Sequence, residues 1–255
     1  MKQKLTYRKI FLWSLLAAMI ALSAKWLMVQ LGLEFIEQTS LHNSVVSSAI
    51  FVLGFVLSAT IADYKESERI PAEFASNIED MYNDAKETHK AYPGFDLDHF
   101  RTSLIEVLKT FREGTRVNRQ GARREIADLQ ACFADMEHAG VPPNFVTKLK
   151  TQQTQLMRSL FRVNYIQKIQ FLPSAFFLIR AITILVIGLL LCTNIDPPQG
   201  GLFIVGAITF ILIYMVILIH HISVPFHAQG RTRDDVSLFL LRETRAFLEG
   251  EAKKE

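Results

Sequence analysis

Four long apolar segments divide this chain, and a long charged stretch separates the first two from the last two. The segments are residues 10–33, 43–62, 171–193 and 200–222. Each holds about 20 residues, which is the length that a helix needs to cross a hydrocarbon layer about 30 Å thick. A bilayer core offers no water to backbone amides, so segments of this kind are helical. The pattern therefore predicts a polytopic, all-α membrane protein with four spans.

The first apolar segment also has features of a secretory signal peptide. Basic residues precede it, and it contains the small residues Ala21, Ser23 and Ala24. The apolar run continues past these residues to Val29, however, and is longer than the apolar region of most cleaved signals. We therefore interpret residues 10–33 as the first span.

The distribution of basic residues predicts the orientation of the spans. Of the 28 Lys and Arg residues, only Lys25 and Arg180 fall inside a span, and the short loops 34–42 and 194–199 contain none. The positive-inside rule then places both termini and the middle of the chain in the cytoplasm. The formal net charge of +3 thus reflects topology and does not indicate nucleic-acid binding.

The stretch between the second and third spans is predicted to be a cytoplasmic helical domain. Pro71 is suited to a first helical position, Asp96 to an N-cap, and Gly140 to a helix end. This gives four parts: a first transmembrane pair (1–63), the helical domain (64–170), a second transmembrane pair (171–222) and a cytoplasmic C-terminal segment (223–255).

Sequence signatures of enzymes and metal sites are absent. No metalloprotease, P-loop or dinucleotide fingerprint occurs at a suitable position. The adjacent His220 and His221 point about 100° apart on a helix, which is unsuited to chelation. We therefore expect neither catalysis nor a cofactor nor a metal site.

The second span carries a row of hydroxyl and phenyl side chains at intervals of three or four residues, which places them on one helix face. The row comprises Ser44, Ser47, Ser48, Phe51, Phe55 and Ser58. Two interpretations remain open. Small residues and serines pack membrane helices together, but hydroxyls that wet a path and phenyl rings that form a dewetting constriction also line pores.

This span resembles the second transmembrane helix of the bestrophins, a family of pentameric ion channels. The resemblance rests on Phe51-Val52-Leu53-Gly54-Phe55 followed by Tyr64, Glu66, Arg69, Ile70 and Pro71, on Leu172-Pro173-Ser174 through Ile179-Arg180, and on Val224-Pro225-Phe226. Bacterial members fit best, which implies a homo-pentamer in the bacterial inner membrane. The resemblance further implies that Ser47, Phe51 and Phe55 form a narrow neck, and that Ser44, Ser48 and Ser58 line the pore.

The loop after the fourth span departs from the animal bestrophins. Those proteins have a calcium-binding acidic cluster directly after Pro-Phe, whereas residues 227–231 of this chain contain no acid, and Asp234 and Asp235 come later. Calcium takes about six to eight oxygen ligands, and this loop offers too few. Calcium gating is therefore not expected.

Charges at the cytoplasmic exit of the second span bear on ion selectivity. Three acids, Asp63, Glu66 and Glu68, stand against two bases, Lys65 and Arg69. Acidic rings favour cations, whereas the partly positive edges of phenyl rings favour anions in the neck. We predict conduction of monovalent ions with a slight preference for cations.

The two charges inside the spans need separate explanations. An unpaired Arg180 costs at least about 2.5–3.5 kcal/mol near a helix centre, so it either pairs with a polar group or lines the pore. Lys25, beside Trp26, is expected to reach the outer headgroups as an anchor. The alternative to a channel is a non-conducting scaffold or sensor whose cytoplasmic domain binds a partner.

Overall fold

The computed structural model describes residues 6–112, 119–168, 173–223, 225 and 236–251. Within these ranges the chain forms eight helices and two very short strands: α1 (Thr6–Leu31), β1 (Ile36–Glu37), α2 (Ser40–Ala91), α3 (Leu97–Arg112), α4 (Arg119–His138), α5 (Pro143–Lys168), α6 (Pro173–Cys192), β2 (Thr193–Asn194), α7 (Pro198–Ile222) and α8 (Phe239–Glu251). The described residues divide into two compact units. One takes its residues from 1–64 and 169–225, and the other from 65–168 and 235–255.

Four of the described helices are long and apolar enough to cross a membrane. They are Arg8–Leu31 of α1, Ser40–Ala91 (all of α2), Ser174–Cys192 of α6 and Pro198–Ile222 (all of α7). The four predicted spans are therefore confirmed as candidates by length and composition. Large apolar side chains point outward from these helices, with Trp13 63% exposed and Phe177 and Phe203 each 76% exposed. Outward apolar surface on this scale is typical of helices that meet lipid or another protein.

Close packing of α1 against α7 organises the first unit. A Cβ atom at Gly206 of α7 would lie 3.0 Å from Cδ2 of Leu22 on α1. Small residues allow such approach between membrane helices, where van der Waals packing is a main source of association. The core of this unit also contains Leu53, Val186 and Leu212, which are fully buried.

α2 is a single helix of 52 residues with Pro71 inside it. The prediction that a new helix begins at Pro71 is therefore wrong. Proline has no N–H and cannot donate to the carbonyl of Ser67, which weakens the helix locally. Ile70 and Phe74 on either side are buried in the core of the second unit. Tertiary packing of these turns sustains the helix across the proline.

The second unit is a helical bundle around one hydrophobic core. Its fully buried side chains include Ile78, Phe100, Phe133 and Leu156, one each from α2, α3, α4 and α5. Most residues of this bundle come from the stretch 65–168.

Two helix ends that were predicted from the sequence, at Asp96 and Gly140, are present in the second unit. The backbone N–H of His99 donates to Oδ1 of Asp96 at 2.8 Å, which confirms the N-cap of α3. Gly140 has a φ of +82°, and the N–H of Val141 donates to the carbonyl of Met136 at 3.0 Å. This is the hydrogen-bonding pattern that ends a helix at glycine, as predicted for α4.

The C-terminal segment contains the helix α8, which the sequence analysis did not predict. Leu241 and Leu248 enter the core of the second unit and are 3% and 0% exposed. Between them, Oγ1 of Thr244 donates to Oε1 of Glu79 at 2.6 Å. The C-terminal segment therefore completes the bundle.

Candidate functional site

The membrane half of α2 has two sharply different faces. Val46, Ala49 and Leu53 are buried in the core of the first unit. The hydroxyl and phenyl row lies on the opposite face, and every member is exposed: Ser44, Ser47, Ser48, Phe51, Phe55 and Ser58. The exposed fractions of Phe51 and Phe55 are 75% and 69%. The row therefore does not pack against the described residues of its own subunit.

Three of the four serines in this row, Ser47, Ser48 and Ser58, differ in their hydrogen bonding from Ser44 and from the serines of α1. Ser14, Ser23 and Ser44 each donate to the carbonyl four residues earlier, at 2.9 to 3.0 Å. Such bonds satisfy a hydroxyl within its own helix. Ser47, Ser48 and Ser58 have no hydrogen-bond partner among the described residues.

The three acids predicted at the inner end of the span are exposed, but two of them are held by bases. Oε1 of Glu66 lies 2.6 Å from Nη2 of Arg162, and Oε2 of Glu68 lies 2.8 Å from Nζ of Lys65. Asp63 is also exposed. The acidic excess counted from the sequence is thus offset by local pairing.

Arg162 is the charge that sequence reasoning missed. It lies on α5, 96 positions from Glu66, and only the fold of the second unit brings the two together. Arg162 thus supplies Glu66 with a base, while Arg69 pairs with Glu73 at 2.7 Å. No local sequence signal marks such a pair, because it depends on the packing of α5 beside α2.

Lys25 is buried, and the prediction that it anchors the outer headgroups is wrong. Its side chain is 2% exposed and forms an ion pair with Glu34. Its ammonium group also donates to the carbonyls of Leu190 at 3.4 Å, of Leu191 at 3.2 Å, and of Thr193. These carbonyls end α6, where the helix dipole favours a cation. Lys25 therefore ties α1 to α6.

Thr193 contacts several elements near Lys25. β1 and β2 pair in parallel, with Ile36 opposite Thr193. Oγ1 of Thr193 donates to the carbonyl of Leu189 at 2.7 Å and lies 3.2 Å from Nδ1 of His42, the third residue of α2. The hydroxyl has one hydrogen, so Nδ1 of His42 must be the donor in that contact. These contacts, together with those of Lys25, join the C-terminal parts of α1 and α6 to the start of α2.

Arg180 is exposed on α6. It lies seven residues after Pro173, which places it about 10 Å along the helix axis from the start of α6. It makes no ion pair or hydrogen bond with any residue that the structure describes. Pairing inside one subunit is therefore not seen among these residues.

The loop compared with the calcium site of animal bestrophins, residues 227–235, lies outside the described residues, as do Leu172, Val224 and Phe226. In the described ranges, no group of three or more His, Cys, Asp or Glu side chains is placed to hold a metal ion.

Sequence and structure comparisons differ in what they find. No protein-family model matches the chain, and no curated protein matches it. A bacterial bestrophin homolog from Klebsiella pneumoniae, by contrast, aligns in structure with a TM-score of 0.75 at 13% identity, covering 96% of this chain and 98% of that one. A mutated form of that homolog aligns with a TM-score of 0.77 at 13% identity, covering 94% and 97%.

A third solved structure, described as that of a membrane protein, aligns with a TM-score of 0.76 at 13% identity, covering 94% of this chain and 96% of that one. The helices and these likenesses together define a polytopic, all-α membrane protein. Its fold is bestrophin-like along nearly the whole chain, as the resemblance in α2 implied. At 13% identity the likeness concerns the fold.

Proposed function

We propose that this protein is a homo-oligomeric ion channel whose path runs along the exposed face of α2. Ser47, Phe51 and Phe55 form its neck, and Ser44, Ser48 and Ser58 line the path beside it. One observation carries the proposal: Ser47, Ser48 and Ser58 are exposed on a membrane helix and lack hydrogen-bond partners among the described residues.

The cost of unpaired hydroxyls argues for water or a polar neighbour beside this face. A hydroxyl moved into hydrocarbon without a hydrogen bond costs about 4–8 kcal/mol on a cyclohexane scale. Three such groups per subunit would make a lipid-facing position costly. A single helix face cannot enclose an aqueous path, so several copies must surround it. The bestrophin-like fold supports a ring, which we expect to have five members.

Phenyl rings on the same face supply a barrier to ions. Phe51 and Phe55 lie one turn apart, and each ring stands clear of its own subunit. Repeated around an axis, such rings form a hydrophobic constriction that excludes water when narrow and conducts when widened. The neck is thus a gate as well as the narrowest segment.

We propose conduction of monovalent ions with a slight preference for cations. Glu66 and Glu68 are each paired with a base, which leaves little uncompensated charge at the inner mouth. Screening over about 8 Å at physiological salt further shortens the distance over which this charge acts on ions. The preference is therefore small.

Arg180 supports assembly of the subunits. It projects from the surface of α6 inside the membrane without a partner among the described residues. Charges in spans face bundle interiors or polar cavities, because exposure to lipid is costly. We place Arg180 against a neighbouring copy.

We also propose a multi-pass location in the bacterial inner membrane, with both termini in the cytoplasm. The loops on the other side, residues 34–42 and 194–199, contain no Lys or Arg. Short loops of this kind are where the positive-inside rule applies best.

Reconstitution of the purified protein in a planar bilayer tests the function. We expect single-channel currents, and a potassium chloride gradient gives the selectivity from the reversal potential. Native mass spectrometry in mild detergent should show one oligomer. A stable monomer with no current would exclude the channel and favour a scaffold or sensor.

A further inference from the structure

The last turns of α5 present arginine and aromatic side chains together on one outward face. Arg158, Phe161, Arg162 and Tyr165 follow at helical spacing, and all are exposed. The guanidinium carbon of Arg123 on α4 lies 5.9 Å from the ring centre of Phe161, and that of Arg162 lies 5.7 Å from the ring centre of Tyr165. We call these five residues the arginine–aromatic patch.

The patch has an excess of positive charge. Arg162 is paired with Glu66 at 2.6 Å. Arg123 and Arg158 have no ion pair or hydrogen bond with any described residue. The cation–π contact with Phe161 leaves the N–H groups of Arg123 without acceptors among the described residues. Two arginines are thus available to bind an anion.

Chain connectivity sets an upper limit on the distance between the end of α5 and the start of α6. α5 ends at Lys168 and α6 begins at Pro173. Lys168 and Pro173 are five Cα–Cα steps apart, so the two helix ends are at most about 18 Å from each other. Tyr165 lies within one turn of the end of α5, and the residue is 53% exposed. Arginine beside exposed aromatic rings is the composition typical of the boundary between membrane and water.

We propose that the arginine–aromatic patch binds the headgroups of anionic phospholipids in the leaflet where α6 begins. Arg123 and Arg158 donate to the phosphate oxygens, for which the planar guanidinium group is suited. Phe161 and Tyr165 lie at headgroup level. A symmetric contact between two copies of the patch is disfavoured, because it would bring arginines against arginines. The proposal does not depend on ion conduction.

Native mass spectrometry of the full-length protein tests this inference. Wild type and R123Q/R158Q are mixed in detergent with equal amounts of phosphatidylglycerol and phosphatidylcholine. We expect wild type to retain phosphatidylglycerol preferentially, and the double variant to lose this preference by on the order of tenfold, since each arginine contributes separately near an anionic surface. R158Q alone, which leaves the Arg123–Phe161 stack in place, should lose about threefold.

The control variant K90Q/R242Q removes two exposed basic side chains from outside the patch and should retain lipid as wild type does. Circular dichroism melting checks that each variant is folded. An unchanged lipid preference in R123Q/R158Q would overturn the proposal. So would equal loss in the control, displacement of the lipid by millimolar inorganic phosphate, or a change in subunit number in R123Q/R158Q without added lipid. The last result would assign the patch to an interface between copies.

Discussion

The ammonium group of Lys25 lies against the carboxylate of Glu34, and both side chains are largely removed from solvent. Lys25 also binds carbonyls at the end of α6, so a single buried cation holds the C-terminal parts of α1 and α6 together. Glu34 belongs to the short loop that leads into α2. The pair therefore links the position of α2 to the packing of α1 and α6.

Replacing Lys25 by Met should lower the stability of the protein strongly. The substitution leaves the carboxylate of Glu34 and three carbonyl groups without their cation, and breaking a buried pair in this way costs about 3–5 kcal/mol. Thermal unfolding in detergent measures the change. K9M removes an exposed lysine from the same helix and should have little effect. Equal stability of K25M and K9M would contradict the buried pair.

Shortening both phenylalanines of the neck should increase ion flow. In F51A/F55A the constriction becomes wider and more easily wetted, so single-channel conductance or open probability should rise. Both rings are exposed, so the stability of the subunit should change by only about 0.5 kcal/mol. F177A/F203A removes two equally exposed rings from α6 and α7 and should leave currents unchanged. Unaltered currents in F51A/F55A would contradict the proposal that these two rings form the neck.

Replacing the unpaired serines should lower conductance. S47A/S58A removes two hydroxyls that have no hydrogen bond with any described residue, and with them the groups that wet the path. S23A is the matched control, because that hydroxyl already donates to the carbonyl of Met19 at 3.0 Å. Currents are compared in planar bilayers. If both variants conduct as wild type does, the hydroxyl row serves helix packing.

Releasing Glu66 from its partner should increase the preference for cations. R162Q leaves the carboxylate uncompensated, so the reversal potential in a potassium chloride gradient should move several millivolts toward the potassium value. The effect should shrink at high salt because the charge is screened. R242Q removes an exposed arginine of α8 and should not shift the potential. A shift of the reversal potential toward the chloride value in R162Q would contradict the proposal that Glu66 attracts cations to the ion path.

Calcium should not regulate the currents. The segment after Pro225 has no acid until Asp234 and Asp235, too few oxygen ligands for a tight site. Recordings with and without micromolar calcium on the cytoplasmic side measure the response. Activation by calcium that disappears in D234N/D235N would mean that the ligands lie further along the loop.

The sequence by itself determined the spans and the faces of α2. Span length follows from bilayer thickness, and helical spacing alone puts Phe51 and Phe55 on one face. The helix caps at Asp96 and Gly140 could also be predicted from the sequence, because they depend on residues within a turn of the helix end. These features are local, so one stretch of chain contains all the information they need.

Tertiary structure decided what depends on residues distant in sequence. α2 continues through Pro71 because the second unit packs around it, against the local preference of proline. Lys25 is buried because α6 offers its terminal carbonyls, 165 or more positions away. Glu66 is neutralised by Arg162 for the same reason. Charges interact through space, so their partners, and with them the roles of these residues, emerge only when the helices are packed.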